Sequence, residues 1–159
     1  MQICILCVGK IKEKYFKLAI DEYLKRLTPY VKLEIVEVPD ESEPQQLNSN
    51  LIIKIKEKEA KKLVAKLKPD DFIVCMCIDG NSIGSKDFAA FFNTRQNMAT
   101  KRVVFIIGGS HGIDDSIVSM ASMKISLSKM TFPHQLARVL LLEQIYRACK
   151  INANESYHK

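Results

Sequence analysis

Residues 103–112 read Val-Val-Phe-Ile-Ile-Gly-Gly-Ser-His-Gly, an apolar run that passes directly into a segment with three glycines in five residues. A continuous apolar run is typical of a strand that is covered on both faces, as in a parallel sheet. Ligands of such sheets bind at the carboxyl ends of the strands, and glycine there lets the backbone approach a ligand closely. The stretch therefore predicts an α/β fold with a binding loop after this strand. An ordinary tight turn is the alternative interpretation of the glycines.

Strand-like runs alternate with amphipathic segments along the rest of the chain. We predict strands at residues 3–8, 33–38, 72–78, 103–107 and 124–127. Apolar residues at helical spacing predict helices between the strands, the last of which starts near Pro133 and ends at about Ile151. This alternation predicts one α/β domain over residues 1–159, with a mostly parallel sheet and helices on both faces. The polar residues 41–50 predict a surface loop.

Composition and cysteine usage limit the class of protein. The chain of 159 residues is 47% hydrophobic, with a mean hydropathy of −0.03 that is ordinary for a globular protein. No apolar run approaches the roughly 20 residues that span a bilayer, and the run at residues 3–8 lacks the features of a signal peptide. We therefore expect a cytoplasmic protein without a membrane segment. Cys4 and Cys7 have the spacing of a redox or zinc motif, but no second ligand pair follows, so we expect buried thiols and no metal.

The net charge of +6 is concentrated in two parts of the chain. Residues 54–68 carry seven basic and two acidic groups, and residues 124–159 carry six basic and two acidic groups. Clustered lysines and arginines gain binding energy by releasing counterions from phosphates, which favours a polyanionic partner. A solvated helix face is the alternative explanation for residues 54–68.

Two further segments carry polar groups that suit a ligand. Residues 126–135 read Ser-Leu-Ser-Lys-Met-Thr-Phe-Pro-His-Gln and again pass from a strand into a helix, which predicts one cleft shared with the glycine loop. Residues 156–159 place an aromatic ring, an imidazole and a cation at the end of the chain, where a frayed terminus is the alternative. The chain has neither a dinucleotide-binding fingerprint nor a phosphate loop of the G-x-x-x-x-G-K-[ST] type.

These residues resemble the ribosomal RNA large-subunit methyltransferase H family of the SPOUT superfamily. The similarity runs essentially from end to end and includes Val8–Lys10, Phe105–Ser110, Leu127–Gln135, Arg138-Val139, Glu143–Ala148 and Tyr157–Lys159. The resemblance implies a SPOUT-type α/β fold with a C-terminal trefoil knot, and a homodimer. It also implies transfer of a methyl group from S-adenosylmethionine to N3 of a pseudouridine in large-subunit ribosomal RNA, within the assembled ribosome.

The resemblance implies the site residues as well. Cofactor contacts carry over to Met76, at the end of the third predicted strand, to Gly108, and to Leu127, Ser128, Lys129, Met130, Thr131 and Phe132. A side chain at position 108 is expected to collide with the cofactor. The candidates for stabilising a deprotonated pseudouridine are Arg147, His158 and Lys159, and Tyr157 is placed to stack on a base. We expect Arg138, Arg147 and Lys150 to contact phosphates.

Some roles stay open at this point. No general base is identified, His111 has no assigned role, and His134 is expected to cap a helix or to support a loop. A non-catalytic RNA-binding module would explain the basic segments but leaves both loops without a ligand. A small nucleotide hydrolase would need a phosphate loop. The last helix has more apolar surface than one core face requires, which favours a dimer in which the tail of one subunit reaches the cofactor of the other.

Overall fold

The computed structural model describes residues 1–158, in which five strands alternate with five helices. The strands are β1 (Gln2–Val8), β2 (Lys32–Val38), β3 (Asp71–Ser82), β4 (Arg102–Ile107) and β5 (Met123–Ser126). The helices are α1 (Lys14–Leu27), α2 (Ser49–Val64), α3 (Ser85–Asn97), α4 (Asp115–Met120) and α5 (His134–Asn152). No helix in this part of the chain is long and apolar enough to cross a membrane.

The strands form one sheet in the order β2-β1-β4-β3-β5, and every pair of neighbours is parallel. The connection that follows β1 leads to β2 at one edge of the sheet, whereas the connection that follows β4 leads in the opposite direction, to β5 at the other edge. The carboxyl ends of the neighbours β1 and β4 therefore form the kind of switch point at which open α/β sheets bind ligands. The predicted α/β class and parallel sheet are confirmed, while the trefoil knot stays a prediction.

Helices cover both faces of the sheet, as the sequence predicts. Helices α1, α3 and α5 pack on one face, where Phe105 of β4 contacts Phe88 and Phe92 of α3. Helices α2 and α4 pack on the other face, where Leu63 and Ile117 meet alternate residues of the central strands. All six residues of β4 are buried, which explains why the apolar run in the sequence shows no alternation.

The cysteines of β1 are not a redox pair. Because side chains alternate along a strand, Cys4 and Cys7 belong to the cores on opposite faces of the sheet. Burial raises the pKa of Cys4 to about 11 and that of Cys7 to about 12, so both thiols stay protonated at neutral pH. They are small buried apolar residues.

Two boundaries differ from the sequence-based prediction. Helix α2 already begins at Ser49, because the side chain of Asn48 accepts a hydrogen bond from the amide of Leu51 (2.9 Å) and caps the helix. Part of the predicted loop is therefore helical. Strand β3 continues to Ser82, although its last residues are polar, because β5 pairs with them and satisfies their backbone groups.

Candidate functional site

A cleft of about 820 Å³ lies at the carboxyl ends of β3, β4 and β5. Its volume falls in the range of clefts that hold a small molecule or cofactor. The structure brings together the two loops that the sequence singled out, since residues 107–113 and most of residues 126–134 line this cleft. Of the predicted cofactor contacts, the lining residues are Met76, Gly108, Leu127, Ser128, Met130, Thr131 and Phe132. Lys129 is an exposed residue of the same loop and is not among the described residues that line the cleft.

Two serine side chains form hydrogen bonds within the loop after β5. The hydroxyl of Ser126 donates to the carbonyl of Ser128 (2.8 Å), and the hydroxyl of Ser128 accepts from the amide of Met130 (3.0 Å). Within residues 1–158, the amides of Leu127, Thr131 and Phe132 donate to no other group of the protein. The loop thus presents unused backbone donors beside the apolar side chains of the cleft.

The glycine loop after β4 is closed on itself, and this corrects the expectation for Gly108. A Cβ at position 108 would lie 2.5 Å from the carbonyl carbon of Gly112, so the space beside Gly108 is filled by backbone and not reserved for a ligand. The amide of Gly112 donates to the carbonyl of Gly109 (3.1 Å), and Gly112 has a φ of +81°, which favours glycine. Gly108 is needed for the shape of the loop, which in turn shapes the cleft.

A break in the pairing of β3 forms a further wall of the cleft. Met76 and Asn81 both pair with Ile125 of β5, and the residues of β3 between them form an excursion out of the pairing with β5. Cys77, Ile78 and Asp79 in this excursion line the cleft, and Cys77 is only half-buried. The sequence gives little indication of this break, because residues 72–78 are apolar throughout. Its one signal in the sequence is Gly80, where a Cβ would lie 2.6 Å from the backbone of Ile125.

The residues of the predicted catalytic group lie away from this cleft in the single chain. His134 at the start of α5 lines the cleft, whereas Arg147 is thirteen residues further along the helix, which corresponds to about 20 Å. Arg147 is held by the Glu143 carboxylate (Nε to Oε1 3.0 Å) and lies 4.8 Å from the centre of the Tyr157 ring. Nδ1 of His158 is 3.4 Å from Nη1 of Arg147.

The tail is thus packed onto the end of α5. Tyr157 contacts the ring of Tyr146 at 4.9 Å and donates a hydrogen bond from its hydroxyl to Glu143 (3.3 Å). Burial and the Glu143 carboxylate raise the pKa of Tyr157, so its hydroxyl stays neutral at physiological pH. Lys159, the last predicted member of the group, lies outside the described residues.

All three predicted phosphate contacts are already engaged within the protein, Arg147 by Glu143 as described above. Arg138 is fully buried, and its guanidinium donates to the carbonyls of Val8 (2.9 Å) and Gly9 (2.6 Å) and to Glu37 (2.6 Å). The prediction that Arg138 contacts RNA is therefore wrong, because its guanidinium is buried and bound within the protein. Lys150 forms an ion pair with Glu155.

The two histidines flank the cleft. Nε2 of His111 lies 2.9 Å from a carboxylate oxygen of Glu43. His134 makes no capping hydrogen bond, since Pro133 is the N-cap residue of α5. Burial and the nearby Arg138 lower the pKa of His134, so its ring is neutral at pH 7. Within the described residues, no group of three or more metal-binding side chains could hold a metal ion.

Comparison with known proteins gives one family and several related folds. A family model described as a predicted SPOUT methyltransferase matches residues 1–158. The fold is similar to that of a Legionella pneumophila protein described as a methyltransferase with its cofactor SAM bound (11% identity, TM-score 0.50), covering 93% of this chain and 66% of that one. It is also similar to a TrmH/SpoU tRNA modifying enzyme of A. aeolicus (15% identity, TM-score 0.51, 96% and 77% covered). The chain spans a little under two thirds of the Legionella protein, and at these identities the likeness shows the fold alone.

Proposed function

Because the chain belongs to the SPOUT methyltransferase family, we propose that it transfers a methyl group from S-adenosylmethionine to N3 of a pseudouridine in large-subunit ribosomal RNA. In this proposal the chain is a member of the ribosomal RNA large-subunit methyltransferase H family. It acts in the cytoplasm as a homodimer, and its substrate is the assembled ribosome. The end-to-end resemblance described above supports the finer part of the proposal.

The observation that carries the proposal is the loop after β5, where Leu127, Thr131 and Phe132 line a cleft of cofactor size and their amides donate to no group of the described chain. The residues present fit the cofactor. The amides of Leu127, Thr131 and Phe132 can donate to an adenine edge or to ribose hydroxyls, and Met76 offers an apolar contact for a flat base. When bound, S-adenosylmethionine supplies a methyl group on a positively charged sulfur, which a positioned nucleophile attacks without further activation.

The work of the protein is then to position the reacting groups and to exclude water. The closed glycine loop and the loop after β5 fix two sides of the cleft, and the excursion of β3 fixes a third. Each of these segments lies in a strand of the sheet or directly follows one. His134, neutral at pH 7, lines the cleft and can accept or donate one hydrogen bond.

The target nitrogen needs a cation nearby, because the imide is a better nucleophile once deprotonated, and a positive charge favours that anion. The candidates are Arg147, His158 and Lys159, of which Arg147 and the neighbouring His158 lie far from the cleft of their own chain. We propose that they serve the cleft of a second copy. In that arrangement Tyr157 stacks on the target base, and Glu143 keeps the Arg147 guanidinium oriented.

Calorimetry with S-adenosylmethionine and with ATP tests the cofactor first. We expect binding of S-adenosylmethionine and no binding of ATP, since the chain lacks a phosphate loop. Incubation with free large-subunit RNA, isolated large subunits and whole ribosomes, followed by mass spectrometry of nucleosides, tests the substrate. The expected product is N3-methylpseudouridine, formed best on whole ribosomes. Cofactor binding with methylation of a different nucleoside would overturn the assignment of the substrate, and binding of ATP alone would overturn the function.

A further inference from the structure

A second cavity, of about 270 Å³, adjoins the cofactor cleft across the glycine loop. The two cavities share Gly109, Ser110, His111 and His134 as lining residues. The rest of the second cavity is strongly acidic, since its other lining residues are Val8, Asp40, Glu41, Ser42, Glu43 and Glu59. We call this second cavity the acidic pocket. Nothing in the methyl-transfer proposal so far uses it.

Glu59 is the unusual residue of the acidic pocket. It lies on the apolar side of α2, in the helical row of Ile55 and Leu63, and only 5% of its surface is exposed. Its Oε1 accepts a hydrogen bond from the amide of Glu41 (3.1 Å). Its Oε2 has no donor in the described part of the chain and lies 3.1 Å from the point that a Cβ at Gly109 would occupy. This oxygen therefore faces the loop that separates the two cavities.

The basic side chains nearest to Glu59 contact other carboxylates. Glu41 forms ion pairs with Lys58 and Lys62, and Glu43 lies within 2.9 Å of His111. Among residues 1–158, neither Glu59 nor Asp40 forms an ion pair. A buried carboxylate without a cation destabilises the folded protein while it is ionised, and a cation supplied from outside relieves that cost. The acidic pocket is thus complementary to a small positively charged group.

We propose that the acidic pocket receives the ammonium group at the amino-acid end of S-adenosylmethionine, with Glu59 as its main partner and Asp40 as a second one. The inference rests on the proposed function. The amides at Leu127–Phe132 suit the adenosine end, and the acidic pocket shares four lining residues with the same cleft. A volume of about 270 Å³ admits the few atoms of an amino-acid end but not a nucleoside together with it. A metal ion fits less well, since the described residues offer no group that could hold one.

The test compares S-adenosylmethionine with 5′-methylthioadenosine, which keeps the adenosine and lacks the amino-acid end. Both ligands are titrated calorimetrically into the full-length protein and into Glu59→Gln. Glutamine keeps an oxygen for the amide of Glu41, so the local fold is retained. We expect the affinity for S-adenosylmethionine to fall about tenfold to a hundredfold, as for a charge-assisted hydrogen bond. The affinity for 5′-methylthioadenosine should stay the same.

Two more variants complete the experiment. Glu57→Gln removes the same charge from the exposed side of α2 and should change neither affinity. Asp40→Asn, at an exposed position where misfolding is not expected, should weaken S-adenosylmethionine selectively but less strongly.

Equal weakening of both ligands would mean that Glu59 merely supports the loop, and unchanged affinities in Glu59→Gln and Asp40→Asn would overturn the site. If the unmodified protein binds neither ligand, the proposed function fails instead. If Glu59→Gln does not fold, Asp40→Asn decides alone, and equal effects on the two ligands would overturn the site.

Discussion

Replacing Arg138 by methionine should destabilise the protein severely, although the sequence alone suggests that this arginine lies on the surface. The guanidinium is fully buried where the end of β1, the strand β2 and the helix α5 meet. Methionine fills much of the volume of the stem and donates no hydrogen bond. The change therefore leaves the carbonyls of Val8 and Gly9 without donors and the Glu37 carboxylate without its cation.

The magnitude follows from the surroundings of each group. Removing one partner of a buried ion pair costs about 3–5 kcal/mol, because the other charge remains uncompensated. The Glu37 side chain is 31% exposed, so water relieves part of that cost. The two carbonyls add about 1–3 kcal/mol each if no water replaces the donor. We expect a net loss of at least about 3–4 kcal/mol, the lower end of these costs after relief by water, and a large part of the roughly 5–15 kcal/mol that stabilises a domain.

Urea unfolding at pH 7, followed by circular dichroism, measures this loss. Arg26→Met is the matched control, because Arg26 is exposed, forms an i,i+4 pair with Glu22 of a kind that contributes little, and otherwise lies only at 5.9 Å from the centres of the Tyr23 and Tyr146 rings. The double variant Arg138→Met with Glu37→Gln should recover part of the stability, since the unpaired carboxylate is then gone. A loss below about 1 kcal/mol, or one equal to that of the control, would refute the reasoning that Arg138 is a structural residue.

Three other outcomes are expected. Gly108→Ala should lower both the thermal midpoint and the cofactor affinity, because the new Cβ collides with the backbone of Gly112, and a variant that keeps both values would contradict this. Deleting residues 156–159 should leave folding and cofactor affinity nearly intact and almost abolish methylation of ribosomes, whereas full turnover would show the tail to be dispensable. Burial raises the pKa of Glu59 in the folded protein above that in the unfolded chain. The stability that the protonated side chain contributes is therefore fully present below the pKa of the unfolded chain, and it is lost as the pH rises through the pKa of the folded protein. Glu59→Gln should therefore gain stability relative to the parent between pH 4 and pH 7 in urea unfolding, and a constant difference would contradict the burial.

Most of the fold could be predicted from the sequence, because its strands are covered on both faces. The run Val103–Ile107 is apolar throughout, and the chain folds it into the fully buried centre of the sheet. The helices around it repeat their apolar residues at helical spacing, which identifies their buried sides. The order of the strands could not be predicted in this way. Strand β4 lies between β1 and β3 because of contacts between distant parts of the chain, which no local sequence pattern indicates.

The site was harder to predict, because burial of a charged residue is decided by its neighbours in space. Glu59 lies in a lysine-rich helix, which suggests solvent exposure, and Arg138 is a charged residue in a mostly apolar helix. Their positions contain a weak signal: Glu59 stands four residues from Ile55 and four from Leu63, in the row that faces the core. The same reasoning could have identified Arg138, which stands three residues before Leu141. A charge at a core-facing position deserves to be considered as a structural or binding group.

The excursion of β3 also bears on how this fold can change during evolution. Met76 and Asn81 are both paired with Ile125, so the sheet is complete on either side of the excursion. Residues 77–79 can consequently be exchanged, lengthened or shortened while every strand keeps its place, whereas Gly80 has to remain small. New ligand preferences can arise there through a few substitutions or a short insertion, without compensating changes in the core. Chimeric chains that trade only this segment would reveal which ligands the segment excludes.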